Sequence, residues 1–319
     1  MRQTVLVLGA NGRVGRALVE AFHAAGWQVK AQMRKAPTAP LPAGVEAVSC
    51  DALDTPALVA AAQGAAVIVN ALNPDYARWD VLLPPLAASV LAAARASRAT
   101  LMLPGNVYNF GAKLPAVLTE TTPEQPDTPK ARQRIALEGQ MRAASREGVR
   151  SIVIRAGDFF GGGPGSWFDM VIAKDIAKGR VTWPGPEDLP HAWAYLPDLA
   201  RVFVMVAERR AALAPFESLH FAGHTLSGAQ MRQALEQASG RSLELRQMSW
   251  WPLRLASPFV PMLRALLQMR YLWLRPHQLD DSRLRALLGT VPHTPLVAAL
   301  AASLGRHGSQ LETAAAGAH

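Results

Sequence analysis

Two rhythms of apolar and polar positions alternate along the first half of the chain. Thr4–Leu8 (TVLVL) is an unbroken apolar run, the pattern of a strand buried on both faces. Over Arg13–Ala25, Val14, Ala17, Leu18, Ala21 and Phe22 recur at helical spacing, and Gly26 supplies a stop. Gln28–Met33, Val45–Ser49, Ala65–Asn70, Ala99–Leu103 and Arg150–Arg155 read as further strands. Helices are predicted between them at Thr55–Ala62, with Asp54 or Thr55 as its cap, at Trp79–Ser97 and at Arg132–Glu147. Pro84-Pro85 either kinks the long second helix or marks its true start. Strand and helix in strict alternation predict right-handed crossovers and a Rossmann-type, doubly wound parallel sheet, an α/β fold.

Beyond Arg155 the rhythm changes. Residues 157–165 (GDFFGGGPG) hold five glycines and a proline and read as a loop. A helix is expected at Trp167–Lys178, a loop to Pro197, a helix at Asp198–Arg210 and a strand at Ser218–Phe221, with mainly helical structure from Ser227. The expected division is a dinucleotide-binding domain over 1–155, to which 198–222 returns, and a smaller, mostly helical substrate-cleft part from 156–197 and 223–307. The tail 308–319, small and polar, is expected to fray.

Composition narrows the classes. Half of the 319 residues are hydrophobic and 18% are charged, which excludes a disordered or fibrous chain. The surplus of 33 Lys and Arg over 24 Asp and Glu is scattered, so it fits an anionic ligand and a solvated basic surface better than nucleic acid. No predicted helix carries clustered base-reading residues, which disfavours a DNA-associated regulator. Cys50 is the sole cysteine, and no signal-peptide pattern opens the chain, so a cytoplasmic protein is expected. The charge-free stretch Thr55–Pro74 has the length of a membrane span, but Gln63, Gly64 and Asn70 divide it into helix, turn and strand, and no span is expected. His220 and His224 are four apart with Gly223 between them and no carboxylate at ligand spacing, so no metal site is expected. Asp280-Asp281 reads as a helix cap before Arg283–Leu288.

The strongest chemical signal lies between the first strand and the first helix, in Gly9-Ala10-Asn11-Gly12-Arg13-Val14-Gly15. Gly9 permits the tight turn, Gly12 lets backbone approach a pyrophosphate, and Gly15 lets helix pack on sheet, while free N–H groups at the helix start favour the anion. At the end of the second strand, where a carboxylate would bind ribose hydroxyls, the chain reads Gln32-Met33-Arg34-Lys35. Arg34 and Lys35 can pair with a 2′-phosphate, with Arg13 as a third contact, so NADP(H) is favoured over NAD(H).

The glycine spacing, the early strand–helix run and Cys50-Asp51-Ala52-Leu53 resemble the short-chain dehydrogenase/reductase superfamily. The GxxGxxG form resembles its extended or atypical branch, the NAD(P)-dependent epimerase/dehydratase group. Asn106-Val107-Tyr108, Arg155–Gly161 and Tyr195–Ala200 extend the resemblance over about the first 220 residues. It implies Asp51 and Ala52 at the adenine edge, Asn70-Ala71-Leu72 along the cofactor, and the 155–161 loop, with Asp158 and Phe159, facing nicotinamide or substrate. Asp158 stands where the branch often has an Asn touching substrate, although an Asp capping a local turn reads equally well. Asn106 and Tyr108 are placed beside the substrate, Tyr108 with packing as its larger role. His191, Trp193 and Tyr195 alternate and so share a face, either of a substrate cleft or of a core.

The departure matters more. The superfamily's chemistry uses a Tyr, a Lys four residues on, and a Ser or Thr. Position i+4 from the four tyrosines reads Asp80, Ala112, Leu199 and Arg275, and the three expected positions hold Lys130, Arg134 and Pro104. Lys130 and Arg134 keep the i, i+4 spacing, giving Arg134 a ribose or phosphate contact and Lys130 the proton transfer, against the alternative of two solvated helix cations. Two functions compete: an NADP(H)-dependent oxidoreductase or epimerase/dehydratase-like enzyme acting on a small hydroxyl or carbonyl compound, and a catalytically silent NADP(H)-sensing regulator. Helices 79–97 and 130–147 could pair as a homodimer bundle or simply cover the sheet. The aromatic, Met- and Pro-rich stretch 248–277 reads as a lid over an apolar substrate, or as a partner or membrane-surface contact, with the lid preferred because the family's C-terminal segments build the cleft.

Overall fold

A computed structural model describes residues 2–305; the expected frayed tail, 308–319, lies outside the described residues. The first strands form as their apolar runs require: β1 (Thr4–Leu8), β2 (Gln28–Met33), β3 (Glu46–Ser49), β4 (Val67–Asn70) and β5 (Thr100–Gly105). Between them run α1 (Arg13–Ala24), α2 (Thr55–Ala61) and α3 (Trp79–Ser97). A two-residue strand, β6 (Val117–Leu118), precedes α4 (Pro129–Arg146), which leads into β7 (Ser151–Arg155). Later in the chain α5 (Leu196–Arg209) and β11 (Phe216–His220) rejoin this layer, giving a seven-stranded sheet in the order β11-β7-β5-β4-β1-β2-β3. Every pairing in it is parallel. The order reverses at β1/β4, which opens a crevice at the carboxyl ends of those two strands.

Two apolar layers hold the sheet. On β1, Val5 and Val7 pack with α1, α5 and the later α9 (Ser282–Leu288), while Leu6 and Leu8 pack with α2, α3 and α4. Each such fully buried side chain stabilises by about 1.5–3 kcal/mol. The span Tyr76–Ser97 is the one described helix long and apolar enough to cross a membrane by length and composition. Its Ala87, Val90, Ala93 and Ala94 instead pack into the layer beneath the sheet. α3 is continuous through Pro84 and Pro85, so the prolines neither start nor interrupt it. α4 begins three residues earlier than the pattern predicts, because the Thr128 hydroxyl caps Ala131 N–H and Pro129 occupies the first turn, where no donor is needed.

The second half departs further from expectation. The glycine-rich segment expected as a loop contains β8 (Asp158–Phe160), and the expected loop to Pro197 contains β9 (Arg180–Trp183) and β10 (His191–Tyr195). β8 and β10 pair in parallel, and β10 joins β12 (His224–Leu226) antiparallel. β10 is buried along its whole length, so its alternation carries no in-and-out signal. The helix expected at Trp167–Lys178 is broken into a π turn at Phe168–Ile172 and a 3₁₀ turn at Ile176–Lys178. Ser166 binds the Asp169 carboxylate at the start of this stretch, and Phe168 and Ile172 still reach the core. α6 (Gly228–Ser239), with a full Ser227/Gln230 capping box, is followed by β13 (Glu244–Gln247), which pairs with β9. Then come α7 (Trp251–Ala256), α8 (Pro261–Gln268), β14 (Gln278–Leu279) beside β6, α9 and the helix Leu296–Gly305.

Candidate functional site

The parallel sheet brings the ends of β1, β4, β5 and β7 to one edge, and the glycine turn sits at its middle. Gly9 takes φ +73°, a left-handed conformation that L side chains rarely adopt. Its N–H donates to Gln32 Oε1 at 3.0 Å, while Gln32 Nε2 donates to Cys50 O at 2.7 Å, so one buried amide ties the turn to β2 and β3. A Cβ on Gly15 would lie 2.2 Å from Gly9 O, and one on Gly9 would lie 3.0 Å from Ala71 O. The turn is thus closed against both α1 and the end of β4. Gly12 precedes α1 without a side-chain cap, and no acid stands in the first turn. That leaves the opening N–H groups of a twelve-residue helix facing the crevice, a setting suited to an anion. The cradle therefore fits a dinucleotide diphosphate.

On one side of this turn Arg34 and Lys35 are exposed at the end of β2. Asn11 Nδ2 donates to the carbonyls of Lys35 and Ala36 at 3.2 and 3.1 Å and fixes that segment beside the glycines. Asp51 accepts from Leu53 N–H, next to buried Ala52. Asn70 Oδ1 accepts from Leu72 N–H at 3.2 Å and shapes the 70–72 bend. Arg13, expected as a third contact beside Arg34, turns the other way. A Cβ on Gly165 would lie 3.8 Å from its Nε, Asp169 and Asp158 are its closest charge partners, and its buried Nη1 has no protein partner. Burial lowers its pKa in spite of those two acids. The reason is steric: Val14 packs into the apolar layer behind α1, which leaves Arg13 beside Gly162 and the 162–165 segment.

The far side holds a compact polar cluster. Tyr76 Oη and Tyr108 Oη are 2.5 Å apart, joining the turn before α3 to the 3₁₀ turn Val107–Phe110 that follows β5. Burial pushes the Tyr76 phenol up to about 12 and the Tyr108 phenol well above its usual value. Lys130 donates to Tyr76 O, and its Nζ lies 4.5 Å from the Trp79 ring centre and 5.1 Å from that of Tyr76. It is buried, and desolvation lowers its pKa against the opposing pull of Asp80 and Asp75. One turn along α4, buried Arg134 donates to Pro104 O at 2.7 Å and faces Trp79. Lys130 and Arg134 are therefore not solvated helix cations. Asn106 Oδ1 accepts from Tyr108 N–H and sets the turn that carries the phenol.

Asp158 closes the cluster. Its Oδ2 lies 2.8 Å from His191 Nε2, and its charge acts on Tyr76, Tyr108 and Arg13. The His191 ring stacks on Trp273 at 4.1 Å and meets His277 edge-on, so the 270–277 stretch folds directly onto it. Phe159, next along β8, packs against the apolar layer of α1 and α5. The expected positions Lys130, Tyr108, Asp158 and His191 thus gather at one place, with Arg13 at its border, while Arg34, Lys35 and Asp51 lie toward the β2 and β3 side. Among the described residues no cluster of three or more His, Cys, Asp or Glu could hold a metal. Sequence reasoning missed Tyr76, whose only signal was its place among the few residues between β4 and α3, and the pair Glu138–Arg155. That pair, 2.7 Å apart and buried, supports the 105–108 turn through an Arg155 bond to Asn106 O.

A sequence profile described as the NAD dependent epimerase/dehydratase family matches residues 5–220. The chain belongs to that family. The crevice, the glycine turn and β8 all fall inside the matched span. A Streptomyces 3-diazoavenalumate denitrifying reductase is 31% identical over 197 residues, which are 56% of this chain and 64% of that protein, so the match spans less than two thirds of its relative. Among solved structures, the UDP-glucose-4-epimerase of Stenotrophomonas maltophila, with bound NAD and formylated UDP-arabinopyranose, superposes with a TM-score of 0.77 at 15% identity. That superposition covers 98% of this chain and 100% of the other. A Bacillus cereus UDP-glucuronic acid 4-epimerase gives 0.73 at 16% identity, covering 95% and 98%. These likenesses establish the extended epimerase fold across almost the whole chain, including the part beyond the family match.

Proposed function

We infer that this epimerase/dehydratase-family chain is an NADP(H)-dependent oxidoreductase or epimerase-like enzyme acting on a small hydroxyl or carbonyl compound in the reducing cytoplasm. The observation that carries the reading is the uncapped α1 start closed against Gly9 and Ala71, with a polar cluster of Tyr76, Tyr108, Lys130, Asp158 and His191 at the same sheet edge. The N–H groups after Gly12 would hold the diphosphate, Asp51, Ala52 and Asn70–Leu72 the adenosine side, and Arg34 and Lys35 the 2′-phosphate. The bound dinucleotide supplies hydride chemistry. The NAD bound in the Stenotrophomonas structure and the reductase name of the Streptomyces relative support the cofactor class and the reaction type.

The chain's own residues manage the proton. Lys130 pins the 76–79 turn through Tyr76 O and places a cation beside the Tyr76 ring, and its lowered pKa makes it the readiest proton donor of the cluster. The paired phenols of Tyr76 and Tyr108 form a second hydrogen-bonding unit beside it, joined to Lys130 through the Tyr76 backbone and ring and not through a hydroxyl. Asp158 and His191 would orient the substrate's polar group, with Arg13 offering a free N–H to an anionic part of substrate or cofactor. Fluorescence titration should show tighter binding of NADPH than NADH, with Arg34→Ala removing about 1–3 kcal/mol of that difference. NADPH consumption across a carbonyl panel should fall about 10²–10⁴-fold in Lys130→Ala. Tighter NADH binding would overturn the coenzyme choice. Tight NADPH binding with no turnover on any substrate would assign the sensor role.

A further inference from the structure

We propose that α7, α8 and the turn between them form a finger that docks the protein on an anionic lipid bilayer. The inference goes beyond the proposed reaction and does not depend on it.

Residues 245–279 contain five arginines (Arg246, Arg254, Arg264, Arg270 and Arg275) and not one aspartate or glutamate. Arg246 pairs with Glu244 just outside the stretch and Arg270 lies over the Trp250 ring, which leaves Arg254, Arg264 and Arg275 to face solvent. Within this acid-free stretch stand six of the ten exposed large hydrophobic residues found among the described residues: Trp251, Leu255, Phe259, Val260, Met262 and Leu274. Phe259, at the tip between the two helices, is 87% exposed, and Trp251 is 65% exposed. Neither serves the core, which is built here by Trp250, Ala265, Met269, Leu272 and Trp273. Arg254 and Arg264 are exposed on the same two helices, so guanidinium groups flank the apolar tip. Pro252 and Pro261 stand in the first turns of α7 and α8, and Pro258 lies in the turn between them, two residues past the end of α7.

This chemistry selects its partner. An exposed Trp, Phe, Leu and Met surface gains from entering the acyl boundary, and an aromatic ring is favoured at that interface. Arg254 and Arg264, which form no ion pair among the described residues, gain from anionic headgroups, and a guanidinium binds phosphate in bidentate fashion. A face built for a second protein core would not require this one-signed charge. α8 also packs against the Tyr76–Arg78 turn, so docking would set the mouth of the polar cluster beside the bilayer. That placement suits an apolar substrate drawn from the membrane.

The test is co-sedimentation of the full chain with vesicles of phosphatidylcholine alone or mixed with phosphatidylglycerol, at low and raised salt. Anionic vesicles should retain the protein at least tenfold better, with the advantage falling as salt rises. Phe259→Glu should weaken binding at least tenfold, and the pair Arg254→Glu and Arg264→Glu about thirtyfold, with melting temperature unchanged in both. Absence of pelleting with either vesicle, or equal pelleting unaffected by the substitutions, would overturn the proposal. So would a dimer that Phe259→Glu dissociates without any lipid binding, which would assign the face to a second copy.

Discussion

At the scale of single residues, the site is a study in what spacing can and cannot convey. Lys130 and Arg134 announce themselves by standing four apart on a helix, and both face the cluster. Tyr76 gives no such sign, because its partner Tyr108 lies 32 residues away and only the β4/β5 adjacency brings the hydroxyls together. Tyr76→Phe should lower turnover about 10²–10⁴-fold while leaving NADPH affinity within about twofold, a split measurable by comparing kcat with a binding titration. An equal loss in binding would instead place Tyr76 in the coenzyme pocket. Gly15 is legible in sequence and its reason is visible in structure. In Gly15→Ala the new methyl meets Gly9 O at 2.2 Å, backbone against backbone. The expected result is a destabilisation of about 1–3 kcal/mol by urea unfolding, together with loss of coenzyme binding. Arg13 shows the limit of such reading: its place in the glycine loop is plain, yet whether it turns toward Arg34 or Asp158 depends on the 162–165 segment packed beside it.

At the scale of elements, the parallel sheet was readable because β1, β4, β5 and β7 are apolar runs and the other strands adjoin helices of clear period. β8 and β10 were not. β8 is three residues inside a glycine-rich stretch, and β10 (HAWAY) carries its mixed polar and apolar side chains entirely indoors. Such strands are fixed by pairing with one another and not by their own pattern. α4 supplies a sharper test of how elements hold the site. It presents Glu138 to Arg155 at the end of β7, and Arg155 in turn binds Asn106 O below the Tyr108 turn. Both partners are buried, so Glu138→Ala would leave an uncompensated guanidinium next to Phe110 and His220. The expected cost is about 3–5 kcal/mol, read by chemical denaturation, with the Tyr108 turn the first part to loosen in hydrogen exchange. A loss under about 1 kcal/mol would show that Arg155 finds another partner and that the pair is not what fixes the turn.

At the scale of the whole molecule, stability should depend on pH through histidines that the fold keeps neutral. His220, at the end of β11, is held down to about 4 by burial and by Arg155, outweighing the carbonyl of Leu118 and the acids Asp280 and Glu138. His277, beneath His191, is held down to about 3 by burial and by that neighbouring ring. His224 is lowered to about 4 in the same direction, by burial and His293. In the unfolded chain each ring takes up a proton near pH 6.5, whereas the folded rings do so only near pH 3–4. The unfolded state therefore binds more protons between those limits, and stability must fall as pH drops from about 6.5 toward 4. The well-buried His220 and His277 should each account for on the order of 1–3 kcal/mol over that window. Urea midpoints measured from pH 7.5 to 4.5 should be flat above 7 and decline steadily below 6.5. His220→Asn and His277→Gln should each flatten part of that decline, although both lower the starting stability. A midpoint unchanged between pH 7 and 5 would mean that these rings gain protons in the folded state as readily as in the unfolded one, and that the interior around β11 and the 270–277 stretch admits water.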